Sequence, residues 1–311
     1  MATVHWTFER AMINPLQLVR YINRAPELVL ASRQTPAYWQ VITRYLQIGR
    51  ASYPFKVPLN GGGSLTLASA AEVKVFWHVF VRATYVLPEP CTTILDCGAN
   101  VGIFSVWAAS HKPDVRIVAL EPFPETFAGL QANIQQNGLA SRVECAQLAL
   151  AEAAGKRQMR TSGDSPNRQV VLDQGNGSRD GTVSVSCITL AECLERFEMG
   201  TVDLMKMDIE GSEWAVLLST PPGVLRRIGH IELEYHEVHH RFGYSPELLF
   251  AYLEAAGHRL TFWTEDKYRT GLAYFERSAD RRFEARSRNQ RNKPEARTSA
   301  ALQERPTRSH R

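Results

Sequence analysis

The chain of 311 residues is 44% hydrophobic and 22% charged, with a formal net charge of +4, which predicts a soluble globular protein with a substantial core. It contains no apolar run near the roughly 18 residues that a membrane helix needs, and its start, MATVHWTFER, lacks the apolar stretch of a signal peptide. Its five cysteines form no CxxC pair, so they indicate reduced thiols, and we expect a cytoplasmic protein with no membrane partner.

The first 90 residues are predicted to form a helical and hairpin extension that precedes the main domain. Helical patterns cover residues 15–30 and 37–46. The segment YPFKVPLNGGGSLTL then predicts a hairpin that turns at residues 60–63, because Asn and Gly favour tight turns. An apolar-rich helix is expected over residues 70–85.

From Thr93 onward, short apolar runs alternate with helical stretches, which is the pattern of parallel βαβ units. The expected strands of the main sheet are TILDC, VRIVALE, VECAQLAL, TVDLMKM, HIELEYH, HRLTFW and LAYFE. A polar stretch rich in Gly and Asn at residues 163–181 is expected to be a loop between two further strands. Residues 91–277 are therefore predicted to form one α/β domain.

The net charge comes from the C-terminal end of the chain. From Glu276 onward there are 11 of the 36 Lys and Arg residues but 5 of the 32 Asp and Glu residues, which leaves 25 basic and 27 acidic residues before it. Residues 278–311 show almost no apolar periodicity, so we predict a basic, disordered tail. A contact with nucleic acid or an acidic surface is an open alternative to a solvated extension.

The stretch TILDCGANVG sets an acidic residue, Asp96, at the end of an apolar strand and directly before a glycine turn. Dinucleotide sites hold a pyrophosphate against a turn spaced GxGxxG, whereas only Gly98 and Gly102 stand here. A carboxylate at this point would repel a pyrophosphate but attract the ammonium and sulfonium groups of S-adenosylmethionine (SAM). The turn therefore predicts a SAM site. The alternative is a structural turn in which Asp96 bonds nearby backbone N–H groups.

Glu121 lies 25 positions beyond Asp96, at the end of the second strand. A carboxylate at that place can accept two hydrogen bonds from a ribose diol, in nicotinamide enzymes as well as in SAM enzymes. It therefore supports a nucleoside ligand without choosing between them. The alternative is that Glu121 caps the helix that starts near Pro122.

Further acidic residues follow the fourth and fifth strands. Asp208 and Glu210 could orient a methyl acceptor, bind a divalent ion or take a hydroxyl proton, while one of them could instead cap the next helix. Glu232, Glu234 and His236 alternate along the fifth strand, so they should project to the same face. His236 is predicted to be the general base, with a packed or solvated surface histidine as the alternative.

Residues 236–240, HEVHH, also match the HExxH pattern of zinc proteases. That mechanism needs a long helix carrying both histidines and a third ligand, whereas here a strand runs directly into the segment. We therefore do not favour a zinc protease, and no residue is assigned as a metal ligand.

The segments LDCGANVG, Glu121-Pro122, LMKMDIEG and ELEYH together resemble the FkbM family of SAM-dependent methyltransferases, over roughly residues 93–257. The resemblance implies a Rossmann-like class I methyltransferase fold, with helices on both faces of a seven-stranded, mostly parallel sheet whose last strand is antiparallel. It also implies O-methylation of a hydroxyl group on a sugar or another secondary metabolite. The predicted cofactor-binding residues are Asp96, Gly98, Ala99, Asn100, Gly102, Glu121 and Asp208, and the predicted catalytic residues are Asp208, Glu210, Glu234 and His236.

Two rival functions stay open at this point. The first is a catalytically idle SAM-binding module that holds a partner through its basic tail, and the second is a nicotinamide oxidoreductase, which the glycine turn disfavours. For the methyltransferase we expect a small-molecule hydroxyl acceptor and no nucleic-acid partner. A divalent metal at Asp208 and Glu210 is a further open alternative.

Overall fold

The computed structural model describes residues 25–160, 182–236, 244–266 and 270–278. Four features singled out in the sequence lie outside this part. They are residues 15–24 of the first helical pattern, the Gly- and Asn-rich stretch at residues 163–181, residues 237–240 of the HEVHH pattern, and the basic tail after Ser278.

From residue 25 onward, where the structure describes it, the extension forms two helices, a hairpin and a third helix. Its elements are α1 (Ala25–Gln34), α2 (Tyr38–Tyr45), β1 (Phe55–Pro58), β2 (Ser64–Leu67) and α3 (Ala70–Phe76). The two strands pair antiparallel around the predicted glycine turn. Ser69 caps α3 by accepting a hydrogen bond from the backbone N–H of Glu72. One π-helical turn at Trp77–Val81 continues α3, so this helical region is shorter than the predicted 70–85.

The remaining strands are β3 (Thr93–Cys97), β4 (Arg116–Leu120), β5 (Val143–Ala146), β6 (Ala149–Leu150), β7 (Gly155–Arg160), β8 (Thr182–Ile188), β9 (Val202–Met207), β10 (Ile228–Tyr235), β11 (His258–Glu265) and β12 (Gly271–Arg277). The remaining helices are α4 (Ile103–His111), α5 (Pro124–Gln136), α6 (Leu190–Arg196), α7 (Glu213–Ser219), α8 (Pro222–Leu225) and α9 (Pro246–Ala255). Among the described residues, no helix combines the length and the apolar character needed to cross a bilayer.

Seven strands form the central sheet in the order β11-β12-β10-β9-β3-β4-β5. The neighbours from β10 to β5 pair parallel, and β12 pairs antiparallel with both β10 and β11. This confirms the predicted Rossmann-like class I methyltransferase sheet with an antiparallel last strand. The chain order reverses between β3 and β9, and open α/β sheets bind ligands beyond the carboxyl ends of the strands at such a point.

Two apolar cores cover the two faces of the sheet, because side chains alternate along each strand. Ile94 points into the core that contains α4, α5 and the extension, including Val57 and Phe76. Leu95 points into the opposite core, which contains α6, α7 and α9. The helices therefore lie on both faces, as predicted.

The segment VECAQLAL departs from the single strand that was expected. It forms β5 in the central sheet and then β6 in a separate three-stranded sheet of order β6-β8-β7. Ala149 packs there with Met159 and Val185 in a small third core. The chain leaves the central sheet after Ala146 because these apolar partners lie in β7 and β8.

Candidate functional site

A cavity lies at the carboxyl ends of β3, β4 and β9, at the point where the strand order reverses. It has about 870 Å³ of empty space, counting the part open to solvent. Residues 97–100 and 120–123 and the loop after β9 form most of its wall. Val79 and Tyr85 of the extension also line it, so the extension closes one side. Its lining combines apolar side chains with a few polar and acidic groups, as small-molecule sites commonly do.

The turn after β3 is shaped by two glycines. Gly98 has φ +76°, and a Cβ built on it would lie 1.9 Å from the carbonyl oxygen of Asp208, so only glycine fits. Its N–H and that of Ala99 donate to the carbonyl of Leu120, at 3.1 and 2.9 Å. Gly98, Ala99 and Asn100 all line the cavity. Gly102 instead lies behind the turn, where a Cβ would approach a methyl carbon of Leu130 to 2.7 Å.

Asp96 lies beneath the cavity rather than in its wall. Its side chain is fully buried, and it accepts a hydrogen bond from the hydroxyl of Ser105 at 2.7 Å. The ammonium nitrogen of Lys206 lies 3.4 Å from the other carboxylate oxygen. Burial raises the pKa of Asp96, and the positive charge of Lys206 opposes that rise. Asp96 does not line the cavity itself, but it forms an ion pair with Lys206, which does.

Lys206 links three parts of the site and was missed in the sequence analysis. It donates to the carbonyl oxygen of Gly98 at 2.8 Å and lies 3.8 Å from Asp208. Burial disfavours its charge, but the carboxylates of Asp96 and Asp208 raise its pKa. The signal was available, because a lysine inside the apolar strand LMKM is almost never buried without a counter-charge.

Glu121 is buried at the end of β4 and lines the cavity. One carboxylate oxygen accepts a hydrogen bond from the N–H of Asn100 and the other from the N–H of Phe123, both at 3.0 Å. It thus holds the turn after β3 beside the residue that precedes α5. A carboxylate oxygen can accept a second hydrogen bond, so a ribose diol can still bind here.

The loop after β9 brings Asp208 and Glu210 to the cavity wall. Glu213, at the first position of α7, organises this loop. It is fully buried and accepts hydrogen bonds from the N–H groups of Ile209 and Gly211, at 3.0 and 2.9 Å. Sequence analysis overlooked Glu213, although an acidic residue in the first turn of a helix is a recognised signal for such contacts.

His236 sits between two carboxylates. Its Nδ1 is 3.2 Å from Glu213 and its Nε2 is 3.5 Å from Glu210. Burial lowers its pKa, but the hydrogen bond and charge of Glu213, together with Asp208 and Glu210, outweigh this and raise the pKa to about 10. Both ring nitrogens are engaged, so this geometry does not favour the general-base role predicted for His236.

Glu232 and Glu234 lie on one face of β10, since Leu233 and Tyr235 pack into the opposite core. Glu232 is buried and accepts a hydrogen bond from the N–H of Val86 at 2.9 Å, which attaches the extension to the sheet. Glu234 is half-buried, and none of the described residues makes a hydrogen bond or ion pair with its side-chain carboxylate. Burial, reinforced by the charge of Asp208, raises its pKa to about 7.

Comparison with known proteins identifies one family. Residues 96–260, more than half of the chain, match the sequence profile of the methyltransferase FkbM domain. The 31-O-demethyl-FK506 methyltransferase FkbM of Streptomyces tacrolimicus is 27% identical over 223 residues, which cover 61% of this chain and 85% of that protein. Methyltransferase 1 of Beauveria bassiana (strain ARSEF 2860) is 30% identical over 186 residues, or 52% of this chain and 74% of that protein.

Likeness to solved structures is more distant. TrmK of M. capricolum, in complex with S-adenosylhomocysteine, has a TM-score of 0.38 at 12% identity, covering 63% of this chain and 66% of that chain. The profile match extends over the three segments that form most of the cavity wall, at residues 97–100, at 120–123 and after β9.

Proposed function

Since the chain belongs to the FkbM family of methyltransferases, we propose that it transfers the methyl group of SAM to a hydroxyl group of a sugar or another secondary metabolite. The observation that carries the proposal is the cavity itself. Its wall combines Glu121 and the glycine turn with the acidic loop at residues 208–210. We infer that Glu121 and the turn bind a nucleoside donor and that the loop faces a hydroxylated acceptor.

On the donor side, Glu121 would accept hydrogen bonds from the two ribose hydroxyls. Apolar residues beyond it, including Phe123 and Leu148, line the same cavity and would hold the adenine ring. The amino-acid end of SAM carries both an ammonium and a carboxylate. Lys206, which lines the cavity, offers a counter-charge to the carboxylate.

Transfer to oxygen is supported by the name of one relative, a 31-O-demethyl-FK506 methyltransferase, which describes a small-molecule oxygen acceptor for that protein. In the proposed reaction, the acceptor oxygen attacks the methyl carbon in line with the sulfonium. The S–C bond breaks as the O–C bond forms, and the sulfur keeps the electron pair in S-adenosylhomocysteine. Alignment of the two reactants can supply roughly 7–11 kcal/mol of the barrier reduction.

The hydroxyl proton must also leave the acceptor. We propose that Glu234 accepts it, because this residue lies on β10 two positions before His236 and its carboxylate makes no hydrogen bond or ion pair within the described part of the chain. His236 would act differently, since its two nitrogens already face Glu210 and Glu213. It would hold the loop after β9 rather than remove the proton.

Two measurements test the proposal. In a thermal-shift assay we expect SAM and S-adenosylhomocysteine to stabilise the full chain and NADH to leave it unchanged, since a ligand at about 100 times its Kd adds roughly 2.7 kcal/mol. A panel of hydroxylated sugars and natural products with methyl-labelled SAM should then yield a labelled product. Stabilisation by NADH alone would support an oxidoreductase, and SAM binding with no transfer to any acceptor would support an idle module.

A further inference from the structure

Three side chains from two separate loops meet beside the cavity, and two of them, Asp208 and Glu210, line it. Asp208 and Glu210 follow β9 and His236 follows β10, and one ligand atom of each lies within 4.8 Å of the other two. Two ligand atoms bound to the same divalent cation at about 2.0–2.6 Å lie at most roughly 4–5 Å apart. The distances between the three ligand atoms are therefore close to those expected for ligands of one cation.

The second observation concerns the other side of the imidazole. Nδ1 of His236 lies 3.2 Å from Glu213, a fully buried carboxylate fixed by the N–H groups of Ile209 and Gly211. Metal-binding histidines almost always donate their second N–H to a carboxylate, carbonyl or water, which fixes the tautomer. Trp214 also donates to the backbone carbonyl of His236 at 2.8 Å. These contacts direct Nε2 towards Asp208 and Glu210.

The charges around the site leave room for a cation. Lys206 lies closer to Asp96, at 3.4 Å, than to Asp208, at 3.8 Å, and it also donates to a backbone carbonyl. A cation bound at Nε2 of His236 replaces the proton there, because metal ligands must be deprotonated, and Asp208 and Glu210 then have only one lysine nearby, which is already engaged elsewhere. A divalent cation would balance them.

We propose that Asp208, Glu210 and His236 bind a divalent cation and that Glu213 orients the His236 ligand. A set of two carboxylates and one imidazole suits a first-row cation such as Mn²⁺, because carboxylates favour Mg²⁺, Ca²⁺ and Mn²⁺ while imidazole favours transition metals. Three protein ligands leave coordination positions open, and Asp208 and Glu210 face the cavity.

The role of the cation rests on the proposed O-methylation. An acceptor hydroxyl bound at an open position would be held beside the sulfonium and made more acidic by the cation. Its proton passes to Glu234, and the methyl group then bonds to oxygen as the S–C bond breaks. The cation changes no oxidation state in this step, so no oxidant or reductant is needed.

The test is Mn²⁺ binding by the full chain after dialysis against EDTA, followed by calorimetry and by electron paramagnetic resonance. We expect one Mn²⁺ per chain for the wild type and at least a tenfold weaker affinity in Asp208→Asn, Glu210→Gln and His236→Ala. Glu213→Gln should weaken it about 10–100-fold, because it removes only the group that orients the ligand. Glu125→Gln, an exposed carboxylate on α5, is the matched control and should bind as the wild type does.

Several outcomes would overturn the site. They are an absence of Mn²⁺ binding by the wild type and unchanged binding in Glu210→Gln and Asp208→Asn, both of which keep the side-chain size. The HEVHH sequence offers a rival ligand pair, His236 and His240, so loss of Mn²⁺ in His240→Ala would also contradict this ligand set. Thermal unfolding of each variant checks that it is folded.

Metal binding is read without SAM or acceptor, so it is independent of the proposed function. Mn²⁺ binding without any methyl transfer would leave the site standing and remove the O-methyltransferase. Methyl transfer that persists unchanged after EDTA treatment, in a chain that binds no Mn²⁺, would leave the O-methyltransferase standing and remove the metal site.

Discussion

The ammonium nitrogen of Lys206 lies 3.4 Å from the carboxylate of Asp96, and both side chains are buried beside the cavity. The pair joins the ends of β3 and β9, the two strands between which the chain order reverses. Lys206 also donates to the carbonyl of Gly98, so the pair holds the glycine turn in place. The acidic residue before the turn would then act on the cofactor through this lysine.

Lys206→Met is expected to lower the free energy of unfolding by about 3–5 kcal/mol, because it leaves the carboxylate of Asp96 buried without a positive counter-charge. The double variant Asp96→Asn with Lys206→Met should lose less, since neither charge then remains. Urea unfolding measures both, with Lys156→Met on the exposed part of β7 as control. If the single variant costs no more than that control, the pair does not stabilise the fold.

Gly98→Ala should abolish SAM binding and lower the unfolding midpoint. A Cβ there meets the carbonyl oxygen of Asp208 at 1.9 Å, and φ is +76°. Gly200→Ala is the control, since nothing lies within 4 Å of the Cβ built there. Calorimetry with SAM compares the two, and equal affinities would show that the turn tolerates a side chain and is not where SAM binds.

Glu121→Gln is predicted to weaken SAM binding roughly 10–100-fold, a loss of about 1.4–2.7 kcal/mol. The amide nitrogen cannot accept a hydrogen bond from the N–H of Asn100 or Phe123, so the group must turn away from one of them. The exposed Glu125→Gln serves as the control. Matching dissociation constants in the two variants would exclude Glu121 as the ribose acceptor.

Glu234→Gln should lower kcat about 10²–10⁴-fold while leaving the Kd of SAM within about twofold, because a general base acts on the acceptor and not on the donor. Glu254→Gln, exposed on α9, is the comparison. Single-turnover kinetics with a known acceptor separates the chemical step from binding. Full activity in Glu234→Gln would assign the proton to another group.

The free energy of unfolding should decrease at low pH because Asp203 becomes protonated there. Burial opposes its charge, but hydrogen bonds from the N–H and hydroxyl groups of Thr92 and Thr93 prevail and lower its pKa. Its contribution is therefore complete above the unfolded value near 3.9 and is lost as pH falls through the lower folded value.

Asp203→Asn should accordingly lower the free energy of unfolding by about 1–2 kcal/mol at neutral pH, and the difference should shrink towards zero near pH 3 or below. Urea unfolding across this range gives the comparison. A difference that stays constant with pH would mean that the charge of Asp203 does not contribute.

The strands of the main sheet were predictable because each carries an apolar run and alternates with helical stretches, and the antiparallel last strand followed from the family resemblance. The sequence pattern also found Gly98, Glu121, Asp208 and Glu210, which stand at strand ends where side chains converge. It could not find the positions of Asp96 and Gly102 behind the turn. Those depend on contacts with Ser105, Lys206 and Leu130, and a linear pattern does not report such contacts.

Two further points need tertiary structure. The engagement of both His236 nitrogens depends on Glu213, 23 positions earlier, and the first-turn position of Glu213 predicts its backbone contacts but not this contact with the imidazole. The boundary at residue 90 between the extension and the main domain stays a prediction. Val57 and Phe76 of the extension lie in the same core as Ile94 of β3, so the two segments pack together. The basic tail at residues 278–311 stays a prediction as well.

The central claim is methyl transfer from SAM to an oxygen atom, and the most direct test is carbon NMR of the product formed with SAM carrying an isotope-labelled methyl group. We expect one labelled methoxy resonance that appears only with the full chain, SAM and a hydroxylated acceptor present. A labelled N-methyl or C-methyl resonance would contradict the account, as would label that stays on SAM with every acceptor tried.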